Sequence, residues 1–164
     1  MEDLYGNVAV TYDGDLKIRG DRKEAGISRE YRFSGEDRGL LHLEDLVFEH
    51  PGVYRLTAGD GSLEAISNPI VVSAEAPALK VYWGDIHNHT KYCDGRGTNV
   101  QSYQFARDVS GLDFCSVSSH SENLRDEEWE KSKEDTRKFN DPGNFVTIQA
   151  YESVSYTHLR AHET

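Results

Sequence analysis

The hydrophobic pattern of the chain changes at a small-residue segment, residues 73–78, and this change constrains the fold more than any other feature. Before the segment, short apolar runs alternate with Gly, Pro, Asp and Asn, which is typical of short strands joined by tight turns. After it, strand-like runs alternate with longer runs of helical spacing. The segment itself reads Ser-Ala-Glu-Ala-Pro-Ala, a composition typical of a linker. We therefore expect two domains, at residues 1–78 and 79–153.

The first domain, residues 1–78, is predicted to be a small all-β, sandwich-like region. Its expected strands are residues 8–12, 16–18, 31–33, 41–48, 53–58, 63–66 and 70–72. Asp60-Gly61 is a hairpin signal between two of these runs. His42 and His50 have no partners at metal-ligand spacing, so we interpret them as ordinary histidines.

The second domain is predicted to alternate strand, helix, strand, helix, strand. Its expected strands are residues 79–86, 112–117 and 145–152, and its expected helices are residues 99–110 and 122–139. This order is typical of βα units on a parallel sheet, and in such folds functional sites are built at the carboxyl ends of the strands. We therefore look for functional side chains at the three strand ends.

Residues of metal-ligand type follow each of these strands. His87 and His89 end the first strand, and residues i and i+2 of an extended chain point to the same side, so both imidazoles can face one point. His120 follows the second strand and Glu152 ends the third. Asp94 precedes a Gly that permits a sharp turn, which can bring a carboxylate back to the same place. The set predicts a metal site, whereas His-x-His alone is equally typical of a polar loop with two surface histidines.

Composition excludes several classes of partner. The net charge is −11, from 18 basic and 29 acidic residues, which argues against a nucleic-acid or anionic-membrane surface. There is no apolar run long enough for a transmembrane helix, and no signal peptide is visible at the amino terminus. Two cysteines, Cys93 and Cys115, do not make a disulfide framework. We expect a cytoplasmic protein, and whether Met1 is the native start stays open.

Several segments carry a resemblance to a known family. They read SNPIVV at residues 67–72, YWGDIHNHT at 82–90, DG at 94–95, ARDVSGLDF at 106–114, FV at 145–146 and YE at 151–152. These segments resemble the DUF3604 family of the PHP (polymerase and histidinol phosphatase) superfamily. The resemblance implies an α/β fold: a truncated PHP-type βα barrel, present as its first three βα units, preceded by the all-β region.

The resemblance also implies a function. It implies two or three divalent ions (Mn, Zn or Fe) and phosphoester hydrolysis by metal-activated water, with no nucleophilic side chain. The residues that match the family's metal ligands are His87, His89, Asp94, His120 and Glu152. Asp85 is expected to orient the histidines. The expected partner is a small-molecule, phosphorylated substrate, and no nucleic acid or membrane partner is expected. The oligomeric state is not predicted.

The chain departs from the family pattern at two positions, and two other functions stay open. Ser118-Ser119-His120 replaces the usual Thr-Asp-His, which removes a carboxylate beside the ligand, and Ala150 replaces a Gly. One alternative is a metal hydrolase that acts on a non-phosphate ester or amide. The other is a non-enzymatic binding module, in which residues 1–78 bind a partner or a glycan.

The last residues, 154–164, resemble the conceptual translation of a transposase sequencing adapter. We interpret them as an artefact and exclude them from the fold. The pair His158 and His162, at the spacing of a helical zinc site, is therefore not predicted to bind metal. On this interpretation the chain is an amino-terminal fragment of a hydrolase, expected to bind metal weakly and to show negligible hydrolysis.

Overall fold

The chain divides into two compact units between Leu79 and Lys80, where the sequence places the domain boundary after residue 78. The structure is a computed structural model that describes residues 7–153. Residues 154–164 lie outside the described residues, so their interpretation as an artefact stays a prediction.

The first unit contains two separate antiparallel sheets. Its strands are β1 (Gly14–Gly20), β2 (Ser28–Phe33), β3 (Gly52–Tyr54), β4 (Leu56–Gly59), β5 (Glu64–Ile66) and β6 (Ile70–Val72). A four-stranded sheet has the order β2-β1-β4-β5, and β3 pairs with β6 in a second, two-stranded sheet. On β1 the buried Leu16 and Ile18 alternate with exposed residues and pack with Phe33, so the period of two in the sequence produces one buried face.

The segment 41–48, predicted as a strand, has no regular secondary structure. Its apolar residues Leu41 and Leu43 pack against the core of the first unit. Asp45 has a φ of 58°, a conformation that cannot continue a strand. The Arg29 guanidinium donates hydrogen bonds to the carbonyls of Glu44 and Asp45, which holds the irregular segment. The alternation of apolar and polar residues in this segment therefore reflects which side chains are buried, and it does not indicate strand pairing.

The second unit contains a parallel sheet with two helices. Its elements are β7 (Gly84–Asp85), α1 (Asn99–Gln104), β8 (Phe114–Val117), α2 (Asp126–Phe139) and β9 (Val146–Gln149), and α1 continues into a π-helical turn at Phe105–Val109. The strand order is β7-β8-β9, with both pairs parallel. The buried core is Tyr103, Ala106, Cys115, Val117, Phe139 and Phe145. None of the helices in the described part of the chain is long and apolar enough to span a membrane.

The predicted fold class, an α/β truncated PHP-type βα barrel preceded by an all-β sandwich-like region, is wrong. Residues 7–153 form three separate sheets, with two α-helices of 6 and 14 residues and no barrel closure. A barrel closes only when its first strand bonds to its last, which requires more strands than the three parallel ones described here. Within residues 7–153, β7 and β9 each pair only with β8, so no described strand covers either edge of this sheet.

The first strand of the parallel sheet is shorter than predicted. The sequence predicts residues 79–86, whereas β7 covers only Gly84–Asp85. Just before it, the N–H of Trp83 donates to the carboxylate of Asp113, and the carbonyl of Trp83 accepts from the N–H of Asp113, both at 2.7 Å. The Asp113 side chain thus accepts a hydrogen bond that a backbone carbonyl of the neighbouring strand would accept if β7 were longer. Val81 is 79% exposed, so the segment lacks the packing that would extend the strand.

Candidate metal centre

The carboxyl ends of the three parallel strands continue to pair beyond the strands themselves. His120 and Glu152 form an isolated parallel bridge, in which the N–H of Glu152 donates to the carbonyl of Ser119 at 3.1 Å. The N–H of Ser118 donates to the carbonyl of Asn88 at 2.8 Å, which brings the chain after β7 against the end of β8. Because the three ends lie side by side, side chains that are far apart in sequence meet at one edge of the sheet.

The carboxylate of Glu152 lies at the centre of three imidazoles. Its Oε2 atom is 3.1 Å from Nε2 of His87, 2.9 Å from Nε2 of His89 and 3.6 Å from Nδ1 of His120. The Glu152 side chain is 33% exposed, so solvent reaches one side of the carboxylate. One carboxylate oxygen thus lies within 3.6 Å of a nitrogen atom of each of the three imidazoles, at an edge that solvent reaches.

A second carboxylate, Asp94, approaches the same histidines from the loop before α1. Its Oδ1 atom is 2.7 Å from Nδ1 of His89, and its Oδ2 atom is 3.6 Å from Nε2 of His120. Gly95 permits this approach, because a Cβ atom there would lie 2.3 Å from the backbone carbon and oxygen of His89. The turn that the sequence indicates at Asp94-Gly95 thus runs directly against the histidine segment.

The histidine rings form a compact group around His89. The His87 and His89 rings are stacked with centroids 5.0 Å apart, and the His120 ring stands at 75° to His89 with centroids 4.6 Å apart. The side chains of His89 and His120 are 18% and 19% exposed, whereas that of His87 is 65% exposed. His87 is therefore the imidazole that faces solvent.

His89 has a carboxylate at each ring nitrogen, Asp94 at Nδ1 and Glu152 at Nε2. A neutral imidazole has only one N–H, so both contacts can be hydrogen bonds only when the ring is protonated. The hydrogen bond with Asp94 raises the pKa of His89 above its ordinary 6.5, although burial opposes this shift. The same contact lowers the pKa of Asp94 to about 2. Protonation of His89 would allow this one ring to donate a hydrogen bond to each of the two carboxylates.

The five side chains suit a divalent ion. Two groups, His87 with His89 and Glu152, and His89 with Asp94 and His120, each bring three ligand atoms within 4.8 Å of one another. The Nδ1 atom of His120 is buried and has no hydrogen-bond partner among the described residues, so it is available as a ligand. Imidazole nitrogens and carboxylate oxygens suit Zn, Mn and Fe. All five predicted residues come together, and their role as metal ligands stays a prediction.

Three residues beside the five predicted ligands also shape the site, and of these only Asp85 is expected from the sequence. The Asp85 carboxylate accepts a hydrogen bond from the backbone N–H of His87 at 2.9 Å, so it holds the main chain at this position. Thr90 and Asn99 are buried on either side of the Asp94 loop. The sequence does carry one signal for this loop, because Thr98 and Gln101 have the spacing of a capping box and form one at the start of α1.

Comparisons with known proteins give distant relatives only. No family model matches the chain, and no solved structure matches it. An uncharacterized protein of Chlamydia pneumoniae is 25% identical over 163 residues, which cover 97% of this chain and 26% of that protein. Uncharacterized proteins of Chlamydia muridarum and Chlamydia trachomatis are 23% and 22% identical over 159 residues, each covering 94% of this chain and 25% of the relative. The chain thus spans about a quarter of the length of the curated relatives it matches.

Proposed function

We propose that this chain carries the metal-binding residues of a metal-dependent, phosphoesterase-like hydrolase related to the DUF3604 family. The observation that carries the proposal is the convergence close to His89 of three imidazoles and one carboxylate from three strand ends and a second carboxylate from the loop before α1. Ordinary surface histidines have no physical reason to converge in this way, because clustered titratable groups cost desolvation unless they share a proton or an ion.

The chain's own residues divide the work between binding and orientation. Glu152 contacts all three imidazoles, so it is the residue best placed to serve more than one ion. Asp94 contacts His89 and His120 from the other side. Asp85 holds the backbone of His87, which keeps the most exposed imidazole at the edge of the group.

Divalent ions with such ligands lower the pKa of a bound water and neutralise the charge of phosphoryl oxygens, which is the chemistry of phosphoester hydrolysis. This chemistry requires no nucleophilic side chain. The side that His87 leaves open to solvent is where a substrate can approach.

A titration of this chain with Mn²⁺, followed by the electron paramagnetic resonance of free Mn²⁺, tests the proposal. We expect weak binding, with a dissociation constant roughly between micromolar and millimolar. His89→Ala should abolish this binding, because His89 belongs to both candidate groups. The control His50→Ala, in the first unit, should bind as the unsubstituted chain does.

A second assay compares the Mn²⁺-dependent hydrolysis of p-nitrophenyl phosphate and p-nitrophenyl acetate, each measured against its rate without protein, and this chain is expected to hydrolyse either ester only at a trace rate. A phosphoesterase-like site should favour the phosphate ester, and preference for the acetate would support a non-phosphate hydrolase instead. Failure of the chain to bind Mn²⁺, Zn²⁺ or Fe²⁺ would contradict the proposal outright.

A further inference from the structure

The loop that carries Asp94 is short and closed on itself. It begins after His89 and ends at Thr98, the residue that caps α1. Within it, the N–H of Lys91 donates to the carbonyl of Gly97 at 2.9 Å, and the N–H of Cys93 donates to the carbonyl of Thr90 at 3.0 Å. Asp94 itself is 69% exposed, so the Asp94 side chain is not held by packing. Its contact with His89 therefore depends on the loop bringing Asp94 within reach of the imidazole.

A buried hydrogen bond joins the two ends of this loop. The hydroxyl of Thr90 donates to Oδ1 of Asn99 at 2.8 Å, and the two residues are 0% and 1% exposed. We call this pair the Thr90–Asn99 clasp. The amide nitrogen of Asn99 is buried without a hydrogen-bond partner in residues 7–153. A buried amide nitrogen without a partner lowers the stability of the fold, so the Asn99 side chain gains only through its hydrogen bond with Thr90. We therefore ask whether this bond fixes the position of the loop.

The two sides of the metal centre are held by different means. Glu152 is held by main-chain hydrogen bonds, from its own N–H to Ser119 and from the N–H of Ser121 to its carbonyl at 2.8 Å. Asp94 lies on a loop whose two ends are joined by the clasp, and its reach to His89 depends on that loop staying closed. Loss of the clasp should therefore affect Asp94 and leave Glu152 in place.

We propose that Thr90 and Asn99 are positioning residues for the Asp94 side of the candidate metal centre. The clasp keeps the loop closed, so that Asp94 faces Nδ1 of His89 and Nε2 of His120. This inference rests on the proposed function for its consequence in ion binding, whereas the contact between Asp94 and His89 can be measured without any ion.

The first test substitutes Thr90. Thr90→Val keeps the β-branched shape and replaces the hydroxyl by a methyl group, which leaves Asn99 without its donor. Thr90→Ser keeps the hydroxyl and is the conservative rescue. Thr147→Val is the matched control, because Thr147 is also buried and donates from Oγ1 to the carbonyl of Thr136 at 2.6 Å, on β9 and away from the loop.

Two readouts separate a positioning role from a merely structural one. Without metal, nuclear magnetic resonance detects the Nδ1–H proton of His89, which moves downfield in a bond to a carboxylate. With metal, a Co²⁺ titration followed by visible absorption counts bound ions and gives their affinities. We expect Thr90→Val to lose the downfield signal and to bind one ion class about tenfold more weakly, as is typical when a residue behind a ligand is removed. Thr90→Ser and Thr147→Val should retain both.

A second pair of variants, at Asn99, tests the same hydrogen bond in case Thr90→Val does not fold. Asn99→Leu removes the acceptor, whereas Asn99→Asp retains an acceptor oxygen in a side chain of nearly the same shape. We expect Asn99→Leu to behave as Thr90→Val, and Asn99→Asp to keep the signal.

The outcomes distinguish the two proposals. An unchanged His89 signal in folded Thr90→Val or folded Asn99→Leu would overturn the positioning role. Loss of the signal in Thr147→Val as well would show a general structural effect and would also overturn it. Absence of Co²⁺ binding in the unsubstituted chain, with the His89 signal present, would contradict the proposed function. The nuclear magnetic resonance result alone would then decide whether Thr90 and Asn99 position Asp94.

Discussion

The two units place their metal-ligand-type side chains differently. In the antiparallel sheet of the first unit, charged side chains form exposed ion pairs between neighbouring strands, as in Lys17 with Glu30 at 3.3 Å and Arg32 with Asp15 at 3.4 Å. In the second unit, five ligand-type side chains gather at one edge. The difference follows from strand direction. Consecutive antiparallel strands end at opposite edges, whereas parallel strands all end at the same edge.

Residue type alone does not produce a site. The first unit contains His42 and His50, which have the same chemistry as the histidines of the second unit. Neither belongs to a candidate metal group within residues 7–153. The comparison teaches that the parallel arrangement of β7, β8 and β9 creates the convergence, and three predictions test it.

The largest effect is expected from the central carboxylate. Glu152→Ala removes the oxygen that contacts three imidazoles, so affinity for Mn²⁺ should fall by more than about 100-fold, which exceeds the effect of removing a residue behind a ligand. Glu30→Ala breaks an exposed pair in the first unit and should change that affinity by less than about twofold. Isothermal titration calorimetry measures the affinity of both variants for Mn²⁺. Equal affinities would contradict the difference that we draw between the two units.

A smaller effect is expected from the turn beside His89. Gly95→Ala would place a Cβ atom 2.3 Å from the His89 backbone, which cannot move aside as a flexible side chain can. The free energy of unfolding in urea should fall by about 1–3 kcal/mol, the usual cost of overpacking. Gly35→Ala is the control, because a Cβ atom there meets nothing within 4 Å, and its stability should stay within about 0.5 kcal/mol. An unchanged Gly95→Ala protein would show that the loop does not depend on this close approach.

The smallest effect is expected from pH. The pKa of His89 is raised above 6.5 by Asp94, so the stabilisation from this contact is fully present below pH 6.5 and is lost as pH rises through the raised pKa. The pKa of Asp94 is lowered from 3.8 to about 2, so its share is present above pH 3.8 and is lost as pH falls towards 2. In metal-free protein, Asp94→Asn should therefore lower the melting temperature most between pH 3.8 and 6.5, and least at alkaline pH, beyond the raised pKa of His89.

A matched carboxylate in the first unit serves as the control for pH. The backbone N–H groups of Leu63 and Ser62 lower the pKa of Asp60, and no histidine contributes. The effect of Asp60→Asn on the melting temperature should therefore persist at alkaline pH. An Asp94→Asn effect that also persists at alkaline pH would show that His89 and Asp94 do not share a proton.

The sequence by itself determined which residues have the chemistry of metal ligands and which runs form regular structure in the second unit. Its alternation of strand and helix corresponds to β7, α1, β8, α2 and β9 in order, because hydrophobic period depends on local residues. His87, His89, His120 and Glu152 were identifiable from residue type and from position at a strand end, and Asp94 from the turn-permitting Gly95 that follows it. Local pattern failed at two places where tertiary contacts are present. Residues 41–48 are irregular and their carbonyls accept hydrogen bonds from Arg29, and β7 is short and the Asp113 side chain accepts a hydrogen bond just before it.

Only the tertiary structure decided how the strands assemble and how the ligand-type groups share contacts. Barrel closure is a property of strand number and of the bond between first and last strands, and no local pattern encodes either, so the predicted barrel was wrong. The contact of His89 with two carboxylates joins residues up to 63 positions apart, and the Thr90–Asn99 clasp joins two polar residues that show their burial only in the folded chain. Residue type sets the chemistry that is available, and the geometry of the parallel sheet sets which groups meet.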